Sequence, residues 1–286
     1  MAKPADGRVA KAEAWDAPAG LHGHRWRAAE PRAALLLQHG LGEHAGRYVE
    51  RHARLVPRLV ELGFDVHAFD LRGHGRSPGA RGVADIGAMV DAHVEARRRI
   101  AASGLPVFLF GHSLGGLVTA ASVAREPAGA AGVVLSAPAL LLDAPAPLRL
   151  LARALSRIAP GLGLVAPLPA AGISRVPEEV QAYLSDPLVF RRRLAARLGW
   201  SALRVAEEGW RRYGGWRAPV LVAHGTADTF TDPRGSRRFI DAVAAADKRI
   251  LLVEAGRHEL LNDLGAEATL GVVLGWLRER MPVGTG

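Results

Sequence analysis

Gly111-His112-Ser113-Leu114-Gly115 is a Gly-x-Ser-x-Gly between a predicted strand over residues 107–110 and a predicted helix over 114–124. A serine on a sharp strand-to-helix turn presents its hydroxyl as a nucleophile, and small flanking residues let strand and helix approach each other. The plainer reading is a glycine-rich turn whose serine caps the helix. A hydroxyl is a weak nucleophile, so the first reading requires a base, and the base requires an orienting carboxylate. With a turn of this kind the order along the chain is serine, acid, histidine. Of eleven histidines only His224 and His258 follow Ser113, and only His258 follows the acid in His224-Gly225-Thr226-Ala227-Asp228. Asp228 and His258 each come just after a predicted strand, which sets them on the rim that carries Ser113. Asp143 is the competing acid, and a helix-capping or surface role is the plain alternative for His258. Acyl transfer also needs N–H donors for the tetrahedral oxyanion: Leu114, after the serine, and Leu41, in the turn His39-Gly40-Leu41-Gly42 after the first long strand.

Other chemistry fits less well. Gly40-Leu41-Gly42-Glu43-His44-Ala45 formally matches a dinucleotide-binding turn, with Asp70 closing the next strand, but that reading leaves the later serine, aspartate and histidine turns without a role. His22 and His24 make no metal-spaced cluster with carboxylates. Cysteine is absent, which removes disulfides, thiol nucleophiles and iron–sulfur clusters. The expectation is a reaction run on hydroxyl, carboxylate and imidazole groups with no cofactor and no metal.

These residues need a scaffold. Strands are predicted over 33–38, 64–69, 107–110, 132–135, 219–223 and 249–253, and helices over 47–62, 86–102, 114–124, 233–245 and 264–280. Alternation of this kind predicts an α/β fold with a mostly parallel central sheet and helices on both faces. The uncharged stretch 100–124 is long enough to span a bilayer, but Pro106 and four glycines punctuate it, so it is read as strand and turn. The alternation fails once, over roughly 80 residues between the fourth and fifth strands, too many for an ordinary loop. Leu148, Leu151, Leu155 and Ile158 share one helical face while Arg149, Arg153 and Arg157 share another, and residues 158–174 are too rich in Pro and Gly for one regular element. The segment 139–217 is therefore read as a mainly helical cap inserted into a core of residues 1–138 and 218–286, over the carboxyl edge of the sheet where ligands bind.

Length and composition suit a globular protein: 286 residues, 49% apolar and 23% charged. Residues 1–20 carry charges and no apolar run, so they are not a signal peptide, and the cytoplasm is the default location. The formal charge is +9, with Lys3, Lys11 and Lys248 the only lysines. Residues 139–217 hold 12 Arg against 6 Asp plus Glu, so +6 of the excess lies in the cap. That placement argues against a nucleic-acid partner and predicts peripheral contact between the cap and anionic lipid surfaces.

The motifs taken together resemble a known family. His39-Gly-Leu-Gly-Glu-His-Ala-Gly-Arg47-Tyr48, Phe69-Asp-Leu-Arg-Gly-His-Gly-Arg-Ser77, the serine turn, Tyr183-Leu-Ser-Asp-Pro-Leu188 and His258-Glu-Leu-Leu-Asn262 are similar to the monoacylglycerol lipase and lysophospholipase branch of the α/β-hydrolase fold, over nearly everything after Trp15. The resemblance implies cleavage of a single-chain lipid ester by Ser113, Asp228 and His258, with Leu41 and Leu114 as oxyanion donors. It also implies Glu43, Arg47 and Tyr183 around the glycerol end; the alternative for Glu43 and Arg47 is a salt bridge or helix-start pair that only shapes the loop. A monoacylglycerol is the implied substrate; a lysophospholipase, a general carboxylesterase or a noncatalytic binder on the same fold are the alternatives.

Overall fold

The structure is a computed structural model and describes residues 12–282. The expectation for residues 1–20 thus falls mostly outside the described residues. The chain runs β1 (Glu13–Asp16), β2 (His22–Trp26), β3 (Ala33–Gln38), α1 (Arg47–Glu50), α2 (Leu55–Glu61), β4 (Phe64–Phe69), α3 (Ile86–Ala101), β5 (Val107–His112), α4 (Leu114–Arg125) and β6 (Gly132–Ser136). The inserted segment follows with α5 (Ala146–Ile158), β7 (Gly163–Val165), α6 (Pro177–Ser185), β8 (Leu194–Ala195) and α7 (Ala196–Arg212). The chain then closes with β9 (Val220–Gly225), α8 (Pro233–Ala242), β10 (Lys248–Val253) and α9 (Ala266–Arg278).

Eight strands form one sheet in the order β1-β2-β4-β3-β5-β6-β9-β10, parallel from β4 to β10 and antiparallel at the β1–β2 edge. Side chains of successive strand residues point to opposite faces, so the two cores can be read off the strands. Ala34, Leu36, Val107 and Leu109 enter one core with α3, α4 and α7, while Leu35, Leu37, Phe108 and Phe110 enter the other with α2 and α9. Burial on both faces is why these strands are continuous apolar runs. The six predicted strands are all present, and this is the α/β-hydrolase architecture expected. No helix among the described residues is long and apolar enough to cross a membrane.

Three features differ from the sequence reading. The edge strands β1 and β2 were not predicted, because a half-exposed antiparallel edge rich in histidine and charge carries no apolar run. The single helix expected over 47–62 is two: His52, Ala53 and Arg54 have φ of 52°, 50° and 54° and break it. Three left-handed residues without a glycine cost about 1–2 kcal/mol each, so distant contacts must hold them; one is the His52 N–H, which donates to Asn262 Oδ1. Pro57 sits in the first turn of α2, where a missing N–H costs nothing. Finally, Leu198, Ala202, Val205 and Ala206 of α7 belong to the same core as α3 and α4, so the last helix of the insertion packs as part of the main layer.

Three buried histidines give the fold an acid weakness. Burial, assisted at His67 by the Arg25 guanidinium, lowers His67 to about 4, His74 to about 3 and His112 to about 3. Below pH about 6.5 the unfolded chain takes these protons first, so stability is full above that pH and falls on acidification towards each folded value. At pH 5 each group costs roughly 2 kcal/mol. Urea unfolding at pH 7 and pH 5 should show the midpoint dropping well before the carboxylates titrate; an unchanged midpoint would show that these rings take up protons without cost.

Candidate active site

Ser113 sits at φ 54° and ψ −119°, between β5 and α4. This is strained backbone for a residue with a Cβ, and the surroundings enforce it. The Ser113 N–H donates to Ser136 O at 3.0 Å, and its carbonyl accepts from Ala139 N–H at 3.0 Å. A Cβ on Gly115 would stand 2.3 Å from the carbonyl oxygens of Gln38 and His39, and one on Gly111 would stand 2.5 Å from Thr119 Oγ1. The two glycines therefore let the turn lie flat against β3 and the following helix.

His258 Nδ1 lies 2.7 Å from Asp228 Oδ2. The Asp228 carboxylate is fixed in turn: Oδ1 accepts the N–H groups of Phe230 and Thr231 at 2.7 and 3.1 Å, and Thr231 Oγ1 and His224 Nε2 stand 2.8 and 3.2 Å from Oδ2. Burial opposes its ionisation, but the hydrogen bonds from His224 and His258 outweigh it and hold Asp228 well below the usual carboxylate range. An ionised acceptor at Nδ1 puts the ring proton there and leaves Nε2 free for a hydroxyl. His258 and Ser113 line one cavity. The competing acid, Asp143, is exposed and accepts the N–H of Ala144.

The loop that carries Leu41 is pinned from several sides. His39 Nε2 accepts the Leu71 N–H at 2.9 Å, so its proton is on Nδ1, which donates to Gly40 O at 2.8 Å. In a planar trans peptide the N–H points opposite to the C=O. Holding the Gly40 carbonyl therefore turns the Leu41 N–H the other way. The Gly40 N–H donates to Glu43 Oε1 at 2.7 Å, and Gly42 O accepts the Phe190 N–H from the insertion at 2.9 Å. The N–H groups of Leu41 and Leu114 have no protein acceptor among the described residues, as a pre-formed anion site requires. Asp70, the acid a dinucleotide site would need, is buried and accepts the N–H groups of Ala45 and Arg76, both at 2.9 Å.

Glu43 and Arg47 meet in the interior. Glu43 also accepts from Tyr48 Oη at 2.8 Å and Arg47 Nη1 at 2.7 Å, and Arg47 forks onto Glu259 at 2.7 and 2.9 Å. His52 Nε2 lies 3.4 Å from Glu43 Oε2, too poorly aimed for a hydrogen bond. Arg47 does not line the cavity; Glu43 does, with its carboxylate already engaged. Tyr183 lies over the Arg47 guanidinium at 5.1 Å and reaches the cavity, its hydroxyl pushed up to about 12 by burial and so a neutral donor. His112, missed by the sequence reading beyond its place in the motif, also lines the cavity; its Nδ1 lies 3.1 Å from Ser136 O, an acceptor, so Nε2 is left as a bare acceptor.

Two kinds of space meet at Ser113. A cavity of about 60 Å³ has mostly apolar walls, Leu168, Ile173, Phe190 and Phe230 among them, and carries the polar side chains Glu43, His112, Tyr183, His258 and Glu259. An apolar one of about 210 Å³ leads from Ser113 past Leu114, Ala139 and Leu142, and a further 310 Å³ beneath α5 adjoins it, the two having Leu142, Val165 and Leu194 as common walls.

A strained serine on a strand–turn–helix, an aspartate–histidine pair on the same rim and an eight-stranded, mostly parallel sheet define a serine hydrolase of the α/β-hydrolase fold. Residues 29–265 match the Hydrolase_4 family, described as serine aminopeptidase, S33. The chain is 35% identical to a monoacylglycerol lipase of Mycolicibacterium smegmatis over 87% of its own length and 89% of the relative's, and 34% identical to the human monoglyceride lipase over 82% and 78%. The crystal structure of a Paleococcus ferrophilus monoacylglycerol lipase superposes with a TM-score of 0.83 at 36% identity, covering 91% of this chain and 99% of that one. The chain belongs to this hydrolase family, among its monoacylglycerol lipase-like members.

Proposed function

We propose that the protein hydrolyses monoacylglycerols to fatty acid and glycerol through an acyl-enzyme. The observation that carries this reading is the meeting at Ser113 of a small cavity with placed polar groups and a larger apolar one, with more apolar space adjoining it. An ester with one acyl chain and a short polyol fills both. Ser113 Oγ attacks the ester carbonyl while His258 Nε2 takes its proton, and the N–H groups of Leu41 and Leu114 receive the oxyanion. The imidazolium, held by Asp228, returns the proton to the leaving glycerol oxygen. Water, deprotonated by the same ring, then releases the fatty acid and restores the serine. With Glu43 and Arg47 engaged by each other, His112 Nε2 and Tyr183 Oη are among the groups left to meet the free hydroxyls.

Rates on 1-oleoylglycerol, a lysophospholipid, methyl oleate and a short p-nitrophenyl ester test the reading. A kcat/KM for 1-oleoylglycerol below that for methyl oleate would remove the polyol from it. One observation favours a lysophospholipid as the second reading: Arg191 and Arg192 line the smaller cavity, and among the described residues no acid pairs with either.

The insertion 139–217 serves in this reading as the cap, roofing the acyl channel and meeting the lipid surface. Leu150, Ile158, Leu162 and Leu168 are 67%, 79%, 49% and 48% exposed, beside the exposed Arg153, Arg157 and Arg191 to Arg193. Apolar side chains enter the interface while arginine heads stay wet among anionic head groups. Co-sedimentation should be stronger with phosphatidylglycerol vesicles than with phosphatidylcholine, weaken with salt, and fall about tenfold in Leu150→Ser/Ile158→Ser. Binding indifferent to lipid charge and salt would reduce the arginines to composition.

A further inference from the structure

We infer that Arg47 is a positioning residue that locks the oxyanion loop and the His258 loop into one unit; the inference rests on the serine-esterase reading above. Glu43 holds the N–H of Gly40, the residue before the Leu41 donor, through Oε1 at 2.7 Å, and holds Arg47 Nη1 through Oε2 at 2.7 Å. The same guanidinium forks onto Glu259, the residue after His258, at 2.7 and 2.9 Å. Asn262 Nδ2 closes the far side by donating to Glu259 Oε2 at 2.6 Å. One planar cation thus spans two loops 212 residues apart in sequence, and all three charged side chains are at most 4% exposed.

Stability alone gives no reason for this arrangement. Buried ion pairs are often matched or bettered by apolar side chains of the same volume. Apolar groups could fill the space, but they could not hold the Gly40 N–H. A charged network can fix direction, and direction is what an oxyanion donor and a general base must share: misplacement of either against Ser113 by an ångström costs rate and leaves ground-state binding largely untouched. Glu43 and Glu259 are both held below the usual carboxylate range: burial opposes ionisation in each, and the Arg47 guanidinium they share favours it, so the lock stays charged through the working pH range. Lysine could supply the charge but not the fork.

The test is a double-mutant cycle with monoacylglycerol as substrate, using Glu43→Gln, Glu259→Gln and the pair. Each single change should lower kcat about tenfold with KM within twofold, and the pair should be no slower than the worse single, because the second change cuts a link already broken. A trifluoromethyl ketone, whose adduct with Ser113 carries the oxyanion, should weaken in proportion to kcat/KM, a readout that loss of packing alone would not move in step. Losses that multiply to about a hundredfold, or singles within twofold of wild type, overturn the coupling. Should a glutamine variant fail to fold, Arg47→Lys asks the same question: lowered kcat at constant KM supports the lock, and wild-type kcat removes it. A wild-type chain that cleaves no ester and resists a fluorophosphonate ends the esterase reading and this one together; an active wild type with multiplicative losses ends only the coupling.

Discussion

Ser113→Ala should leave turnover lower by on the order of a millionfold, with the fold intact. The size follows from the division of labour in the proposed mechanism: without the hydroxyl, His258 and Asp228 would have nothing to activate, and only the oxyanion donors and substrate binding would still act. The backbone at φ 54° and ψ −119° makes a companion prediction. A strained φ/ψ costs about 1–3 kcal/mol, and glycine relieves it where alanine cannot. Ser113→Gly should therefore be as inactive as Ser113→Ala yet melt higher, the sign of stability given up for a poised nucleophile. Assay of 1-oleoylglycerol hydrolysis alongside thermal melts of the three proteins tests both. Residual turnover above about a thousandth of wild type in Ser113→Ala would place the nucleophile elsewhere.

The legibility of this molecule in its sequence follows the range of the interactions involved. Strands buried on both faces, such as β3 and β5, are unbroken apolar runs, and local composition suffices to find them. The serine turn is legible because its glycines answer to short-range sterics at Gln38 and His39. Asp228 and His258 could be chosen by chain order and strand ends, and their pairing at 2.7 Å agrees with that choice. What stayed hidden is long-range. The Glu43–Arg47 ion pair is legible as the alternative to a pair of glycerol ligands, but nothing near Arg47 announces Glu259, onto which the same guanidinium forks. The break at His52 to Arg54 was hidden likewise, since it depends on Asn262. The apolar stripe of α5 was found by its period, but period does not tell a buried face from one left open: Ile158 is 79% exposed.

Asp228→Asn should cost about ten-thousandfold in kcat, far more than the loss of one neutral hydrogen bond could explain. Two oxygens of the carboxylate do separate work. Oδ1 takes the Phe230 and Thr231 N–H groups, which aim the side chain, and Oδ2 takes the His258 Nδ1 proton. An asparagine must keep its oxygen towards the two backbone donors, because its amide cannot accept from them. Its NH2 then faces His258 Nδ1, and a donor there drives the ring proton onto Nε2. His258 would be left with a proton where it needs a lone pair, and Ser113 would lose its base with every atom still in place. Turnover should therefore collapse while KM, melting temperature and the fit of the acyl chain barely move. Thr231 Oγ1 and His224 Nε2, within 2.8 and 3.2 Å of Oδ2, are poor substitutes, since neither carries the charge that stabilises an imidazolium. Asp228→Ala separates the two causes: it removes the anion but imposes no donor, so it should be at least as active as Asp228→Asn if the ring proton is what matters. An alanine variant much slower than the asparagine one would instead make the lost charge decisive.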